Sequence, residues 1–234
     1  QPIDMVANAI NMGAFPEVVN RFDVEGPAAA GRFLSELMAL MVRLCLPVAA
    51  LLIALSTNIT RLVLPPAYHG YIDELFPIIA FSVLAANLTS FVYGSVVHAH
   101  KRPWLLIIAN GAGSIGTISL SLLLIPPMAE FGAALALAGG SLFSLVACII
   151  ISHRLTPVPV PWRDIGVSAI ISACTGAAAF LASAIAGDLA PFLKLAAGGM
   201  SGGLVFLALN ALFNREATIR MAGKLRLRVK RDML

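Results

Sequence analysis

Charged side chains within apolar segments are the first candidates for chemistry in this 234-residue chain. Arg43 stands inside the apolar run 33–57, ten residues after Phe33 and fifteen before Asn58. That run is long enough to cross a bilayer, which takes about 20 apolar residues. A guanidinium near the bilayer centre costs about 2.5–3.5 kcal/mol on insertion scales, so it persists only where it faces protein, water or a ligand.

Two interpretations of Arg43 remain open from the sequence. Glu36 lies seven residues earlier on the same helical face, so an internal ion pair between the two side chains could fix a helix contact. Alternatively, Arg43 faces a cavity and attracts an anionic substrate. Pro47, one turn later, removes a backbone hydrogen bond and predicts a bend beside the charge. Interrupted helices near such charges are common at transport sites.

Uncharged polar residues form stripes on other apolar segments. Asn110, Ser114 and Thr117 stand at offsets of 0, 4 and 7, which places them on one helical face, and Asn87 begins a similar stripe on the preceding segment. Such stripes suit either close helix packing or a water-filled cavity. The predicted cavity residues are therefore Arg43, Glu36, Asn87, Asn110, Ser114 and Thr117.

Catalytic and metal-binding patterns are not apparent in the sequence. The three cysteines, Cys45, Cys148 and Cys174, lie in separate apolar segments and indicate small apolar side chains rather than disulfides. His98 and His100 point about 200° apart on a helix, which suits a shared metal poorly. The sequence also lacks a GxxxxGK[ST] loop. We therefore predict that the protein is not an enzyme and binds no cofactor or metal. Any transport would be driven by an ion gradient, the substrate's own gradient or a partner.

Composition places these residues in a membrane. The chain is 59% hydrophobic and 12% charged, whereas a soluble domain carries about 25% charged residues. We predict an all-α integral membrane protein whose bundle, 33–213, has six spans: 33–57, 75–98, 104–126, 131–152, 165–186 and 191–213. Residues 1–32 are predicted to hold the end of a preceding, partial helix and a cytoplasmic linker. Residues 214–234 are predicted to be a basic cytoplasmic tail.

Overlapping GxxxG pairs on the last span predict close helix packing. The pairs are Gly198 with Gly202 and Gly199 with Gly203. Glycines at this spacing allow two membrane helices to approach until their backbones are nearly in contact.

Basic residues alternate between the connections of the predicted spans. Lys101-Arg102, Arg154 and Arg163 fall in connections on one side, together with the basic residues of the tail, whereas Arg61 and Lys194 fall on the other. The positive-inside rule then predicts that both ends of the chain are cytoplasmic. The tail suits anionic lipid better than nucleic acid. Because the chain starts at Gln1, we expect an N-terminal part of the protein to precede it.

Several short motifs resemble those of polysaccharide flippases, the oligosaccharide-lipid exporters related to MATE multidrug transporters. Leu124-Ile125-Pro126 followed by Phe131-Gly132-Ala133-Ala134 is most similar to the family's hairpin between two helices. Segments 11–31 and 59–71, the Leu46-Pro47 pair and the turn His100-Lys101-Arg102-Pro103 are also similar. Pro65-Pro66 departs from the family pattern, which usually has Gly there. The resemblance covers nearly the whole chain and points to the C-terminal half of such a protein.

The resemblance implies half of a two-bundle transporter of about fourteen helices. Its implied substrate is a polyprenyl-pyrophosphate-linked oligosaccharide, such as an O-antigen or exopolysaccharide repeat unit, moved across the bacterial inner membrane by alternating access. Arg43 would contact phosphate, and Asn87 and Asn110 would contact sugar. The implied partners are membrane lipids, the N-terminal half and glycan polymerase machinery. Ion coupling is not carried over, because no acidic site that matches the family's is seen inside the predicted spans.

Other function classes remain as alternatives. A MATE-type ion-coupled multidrug exporter is the next candidate, although a cavity for cations would favour carboxylates over Arg43. A membrane enzyme of glycan or lipid assembly would need a carboxylate or histidine cluster at one membrane face. A structural bundle without transport activity is the remaining alternative.

Overall fold

The computed structural model describes residues 2–63, 65, 72–186 and 190–213. All regular elements in these ranges are helical, which confirms the predicted all-α fold. The elements are α1 (Pro2–Glu25), α2 (Pro27–Ala54), α3 (Ser56–Val63), α4 (Ile72–Asn87), a π-helix (Leu88–Tyr93), α5 (Gly94–Ala99), α6 (Trp104–Leu155), α7 (Trp162–Ile185) and α8 (Pro191–Phe213). The predicted basic tail, 214–234, lies outside the described residues, as do 64 and 66–71.

Helix α6 is a hairpin rather than one continuous rod. A straight helix of its 52 residues would be about 78 Å long, more than twice the thickness of a bilayer's hydrocarbon core. The chain reverses at Ala129, whose backbone is non-helical with φ 46° and ψ −121°. Gly132 then packs against the carbonyl of Leu124. Two antiparallel arms, 104–128 and 130–155, therefore replace one long helix and agree with the predicted spans 104–126 and 131–152.

The six predicted spans fit this architecture. Five helical segments are long and apolar enough to cross a membrane, judged by length and composition. Because α6 is one of them and folds back on itself, the five segments supply six crossings. The second crossing is composite, since α4, the π-helix and α5 follow one another without a break.

Helix α2 lies at the centre of the bundle. Half of the residues in its most apolar 18-residue stretch are buried, compared with 11% in the corresponding stretch of α8 at the periphery. Helix α1 packs along α2 on one side, and α7 followed by α8 packs on the other. The α4–α5 crossing packs on the two arms of α6 and also contacts α1 and α2. A charge on α2 is therefore surrounded by protein on several sides.

The segment expected to be a cytoplasmic linker is helical almost throughout. Helix α1 continues through Pro16 to Glu25, and α2 starts at Pro27 after a break at Gly26, whose φ is 88°. Proline is well suited to the first turn of a helix, and glycine tolerates the positive φ. An ion pair of 2.7 Å between Glu17 and Arg21, four residues apart, stabilises the polar end of α1. The sequence interpretation took these polar residues and prolines as signs of a linker.

Only one of the two overlapping glycine pairs is used for packing within the described chain. A Cβ atom at Gly198 would lie 2.9 Å from the carbonyl of Ala179 on α7, and one at Gly202 would lie 3.1 Å from that of Thr175. Gly199 and Gly203 have nothing within 4 Å of the same position. The α7–α8 contact thus depends on the first pair.

This asymmetry predicts opposite outcomes for adjacent substitutions. Gly198→Val should lower the free energy of unfolding by about 1–3 kcal/mol, because the added methyl groups overlap Ala179 and Leu55. Gly199→Val, the matched control, should change it by less than about 0.5 kcal/mol. Unfolding of the purified protein in detergent measures both. Equal losses for the two variants would contradict the packing described.

The only two tryptophans begin helices on the side predicted to be cytoplasmic. Trp104 starts α6 after Lys101-Arg102, Trp162 starts α7 before Arg163, and their exposed fractions are 55% and 76%. Tryptophan beside basic residues is typical of the membrane–water interface. In vesicles, lipids brominated near the headgroup should therefore quench their fluorescence more strongly than lipids brominated near the chain end. Trp104→Phe isolates Trp162, and stronger quenching from the chain end would contradict an interfacial position.

Candidate functional site

The six predicted cavity residues lie in four separate places in the bundle. Arg43 is at the α2–α7 contact, Glu36 is near the junction of α1 and α2, and Asn87 faces α1. Asn110, Ser114 and Thr117 line one pocket between α4 and α6. The structure therefore brings three of the six together and separates the others.

Arg43 forms an ion pair with Asp164 of α7. Its Nη2 donates a hydrogen bond of 3.0 Å to Asp164 Oδ1. Arg43 is 9% exposed, whereas the Asp164 side chain is 42% exposed. The Arg43 Nε is buried and has no hydrogen-bond partner among the described residues. Arg43 thus forms an internal ion pair, as one of the two interpretations predicted, but its partner is Asp164 rather than Glu36.

The parallel course of α2 and α7 brings this pair together. Near the start of both helices, a Cβ atom at Gly31 would lie 2.8 Å from the carbonyl of Pro157. Further along, a Cβ atom at Gly176 would lie 3.3 Å from the carbonyl of Ala50. Between these close contacts, Asp164 in the first turn of α7 meets Arg43, 121 positions away in sequence. The sequence carries no signal for this pairing, because it depends on which two helices become neighbours.

Glu36 belongs to a different cluster. It is exposed on α2, and its charge acts on Arg21 of α1. The hydrogen bond to Glu17 raises the pKa of Arg21, and the charges of Glu25 and Glu36 raise it further. The Arg21 guanidinium also lies 4.6 Å from the centre of the Phe33 ring, a cation–π contact. The Glu36–Arg43 pair, which was one of the two interpretations left open for Arg43, is therefore not formed.

Asn87 is bound to an acidic residue that the sequence interpretation missed. Its Nδ2 donates a hydrogen bond of 3.0 Å to Asp4 Oδ1, and Asn87 itself is 6% exposed. The Ile3 carbonyl contacts Cys45 Sγ, which places the start of α1 level with the middle of α2. A carboxylate therefore does lie inside the bundle. It was missed because Asp4 precedes the first complete predicted span.

The π-helix connects Asn87 to the α4–α6 pocket. It begins directly after Asn87, and its residues Thr89 and Ser90 line the pocket. Cys148 of α6 contacts the Thr89 carbonyl, and a Cβ atom at Gly94 would lie 2.9 Å from the same oxygen. Single π-turns within helices occur frequently at functional positions. This one lies between Asn87 and the α4–α6 pocket.

The α4–α6 pocket is a cavity of about 220 Å³ lined by small and neutral polar residues. Ser144 donates a hydrogen bond of 3.1 Å to Asn110 Oδ1 across the two α6 arms. Thr117 donates to the carbonyl of Gly113 on its own helix. The lining residues are Ala86, Thr89, Ser90, Asn110, Gly113, Ser114, Thr117, Gly140, Ser141 and Ser144. Such a surface can exchange hydrogen bonds with hydroxyl-bearing groups.

Comparison with known proteins identifies the architecture. No family model matches this sequence, and no curated protein matches it. Among solved structures, the lipid II flippase MurJ in its inward closed conformation is similar, with a TM-score of 0.70 over 93% of this chain. The chain shares its fold with nearly half of MurJ. It covers 45% of that structure at 18% sequence identity, so the likeness concerns the fold.

The MurJ likeness agrees with the predicted all-α membrane fold. The part of MurJ that matches this chain is less than half of that protein. The division of the chain at residues 32 and 213 remains a prediction, as do the roles of the six predicted cavity residues.

The buried Asn87–Asp4 contact predicts a specific effect on stability. Asn87→Ala should lower the free energy of unfolding by about 1–3 kcal/mol, because Asp4 loses a hydrogen bond inside the bundle. Asn110→Ala is the control, since Asn110 is exposed and should cost less than about 1 kcal/mol.

A double-mutant cycle separates this contact from other effects of the substitution. Combining Asn87→Ala with Asp4→Ala, which removes the acceptor, should reveal a coupling energy of about 0.5–3 kcal/mol. Strictly additive losses from the two substitutions would mean that the hydrogen bond contributes nothing to stability.

Proposed function

We propose that this chain is part of a flippase that moves a lipid-linked oligosaccharide across the bacterial inner membrane. The substrate class is a polyprenyl-pyrophosphate-linked repeat unit of O-antigen or exopolysaccharide. The observation that carries this proposal is the structural likeness of nearly the whole chain to a lipid II flippase. The motif resemblance to polysaccharide flippases supports the more specific substrate.

Arg43 supplies the cationic group that this substrate requires. A pyrophosphate cannot cross about 30 Å of hydrocarbon without charge compensation. Guanidinium groups bind phosphate through paired N–H donors, and they are more weakly hydrated than an ammonium group. Arg43 is buried in the most central helix of the bundle and retains an unpartnered Nε.

The α4–α6 pocket suits the sugar part of the substrate. Its amide and hydroxyl groups are neutral, so they form hydrogen bonds without selecting a charge. The Ser144–Asn110 bond can be replaced by bonds to sugar hydroxyls at little net cost. Asn110, Ser114 and Thr117 thus keep their predicted role, whereas Asn87 is committed to Asp4.

Transport proceeds in this proposal by alternating access between this bundle and an N-terminal bundle. The apolar outer faces of α6, α7 and α8 contact membrane lipids, and their exposed residues include Ile107, Ile118, Leu122, Phe180 and Leu204. The C-terminus is cytoplasmic by the positive-inside rule. Glycan polymerase machinery is the proposed acceptor of the exported unit.

The MATE-type exporter remains the second candidate because of one observation. Asp4 places a carboxylate inside the bundle, where a cationic drug or a coupling ion would need one. The membrane-enzyme alternative lacks comparable support, since the described residues contain no group of three or more His, Cys, Asp or Glu side chains able to hold a metal.

Complementation of a flippase-null strain tests the proposed function. Arg43→Ala, introduced into the native gene, should lower surface glycan at least about tenfold, as expected for loss of a charge-assisted hydrogen bond worth about 1.5–3 kcal/mol. Arg43→Lys should retain intermediate export, because a single ammonium replaces the paired donors.

Arg163→Ala is the matched control for this experiment, because Arg163 is an exposed arginine next to Asp164. Its export should equal that of wild type, with all variants compared at equal protein level on immunoblots. Equal export by all versions would exclude Arg43 from the substrate path. Normal glycan with impaired efflux of cationic drugs would favour the MATE-type alternative.

A further inference from the structure

The Arg43–Asp164 pair is electrically neutral as it stands, and this bears on any role for Arg43 in binding an anion. A guanidinium whose charge is already compensated attracts a pyrophosphate only weakly. Under the proposed function, the Asp164 carboxylate must therefore separate from Arg43 when the substrate binds. The local structure permits that separation.

Asp164 accepts a hydrogen bond from only one of the two donors on the binding edge of the Arg43 guanidinium. Nε and Nη2 lie on one edge of the group, the edge that binds a carboxylate or phosphate through two parallel hydrogen bonds. Asp164 occupies Nη2 with a single oxygen, and Nε is buried without a partner in the described structure. A buried donor left unpaired is costly. An anion that satisfied both donors would thus bind this edge better than Asp164 does.

A second buried polar atom at the same contact lacks a partner. Ser168 lies one turn after Asp164 on α7 and is 1% exposed, and its Oγ has no hydrogen-bond partner among the described residues. Ser172, the next residue on that face, donates instead to the Ser168 carbonyl. Two buried groups without a partner in the described structure, Arg43 Nε and Ser168 Oγ, therefore belong to the ion pair and to the next helical turn of α7.

The Asp164 carboxylate can move away from Arg43 into water. Its side chain is 42% exposed, so water can reach the carboxylate. It stands in the first turn of α7, where the helix dipole stabilises a negative charge without any help from Arg43. Arg43, by contrast, is buried and needs an anion at all times. The two partners are thus unequal, and the carboxylate is the one that can leave.

We propose that Asp164 is an internal counter-ion that occupies the anion-binding edge of Arg43 in the empty transporter and is displaced by the substrate's pyrophosphate. This inference rests on the proposed function and adds a residue to it. Exchange of one anion for another keeps Arg43 paired in both states, which avoids an uncompensated charge inside the membrane. It also links substrate binding to the position of α7.

Binding of inorganic pyrophosphate to the purified full-length protein tests the proposal. The thermal unfolding temperature is measured in detergent over a pyrophosphate titration, for wild type, Asp164→Asn, Arg43→Ala and Glu130→Gln. If Asp164 occupies the site about 90% of the time, Asp164→Asn should bind pyrophosphate about tenfold more tightly than wild type. Glu130→Gln, which removes an exposed negative charge from the α6 hairpin, should bind like wild type.

The outcomes separate this proposal from the one on which it rests. Unchanged affinity in Asp164→Asn, with binding still lost in Arg43→Ala, overturns the counter-ion role and leaves the substrate role of Arg43 intact. Binding that persists in Arg43→Ala, or no binding to any variant, overturns both. A general gain from any lost carboxylate, visible in Glu130→Gln, also overturns the counter-ion role.

A measurement on the wild-type protein covers the case in which Asp164→Asn does not fold. Hydrogen exchange of residues 160–168 is followed in phosphatidylcholine nanodiscs, with and without pyrophosphate. Release of Asp164 should loosen the first turn of α7 and raise its exchange rate when pyrophosphate is added. No change at saturating pyrophosphate overturns the proposal. The same rise with phosphatidylglycerol alone would assign the displacing anion to lipid headgroups rather than to the substrate.

Discussion

The compensation of a buried positive charge organises this bundle. Arg43 is buried in the helix with the most neighbours, and Asp164 of α7 neutralises it at 3.0 Å. A charge in an apolar medium must be paired, so the position of α7 relative to α2 is constrained by electrostatics as well as by packing. The close contacts of Gly31 with Pro157 and of Gly176 with Ala50 hold the two helices at the distance that the ion pair requires.

The polar groups of the bundle divide into a charged side and a neutral side. The α2–α7 contact holds the ion pair, whereas the α4–α6 pocket contains only small and uncharged groups. Under the proposed function, the substrate has the same division, with a pyrophosphate joined to hydroxyl-rich sugars. The Asp4–Asn87 bond lies between the two sides and next to the π-helix, so it is placed to fix the crossing that separates them.

Helices in lipid cannot rely on a hydrophobic driving force to associate, which explains why small residues dominate the contacts. Gly198 and Gly202 bring α8 against α7, and Gly113 and Gly140 bring the two α6 arms together. Hydroxyl groups at these contacts are bonded mostly to their own helices, as for Thr117, Ser172 and Thr175. Such groups add little polarity to the lipid-facing surface.

Most of the architecture was determined by the sequence itself. Apolar runs of spanning length can only be membrane helices, because lipid offers no partners for an open backbone, and the reversal between 126 and 131 was visible from its prolines and glycine. The polar stripe of Asn110, Ser114 and Thr117 was also predictable, since helical periodicity alone places these residues on one face. The linker predicted within residues 1–32 stays a prediction, and the structure adds that this segment is helical apart from a break at Gly26.

Only the tertiary structure decided which charges meet. Glu36 was the nearest acid to Arg43 along its own helix, yet it lies on an exposed face and acts on Arg21. Asp164 is 121 positions away, and Asp4 lies in the first turn of α1. Periodicity reports which residues share a face of one helix. The choice of partner depends on which helices pack together and at what depth, and that is a property of the assembled bundle.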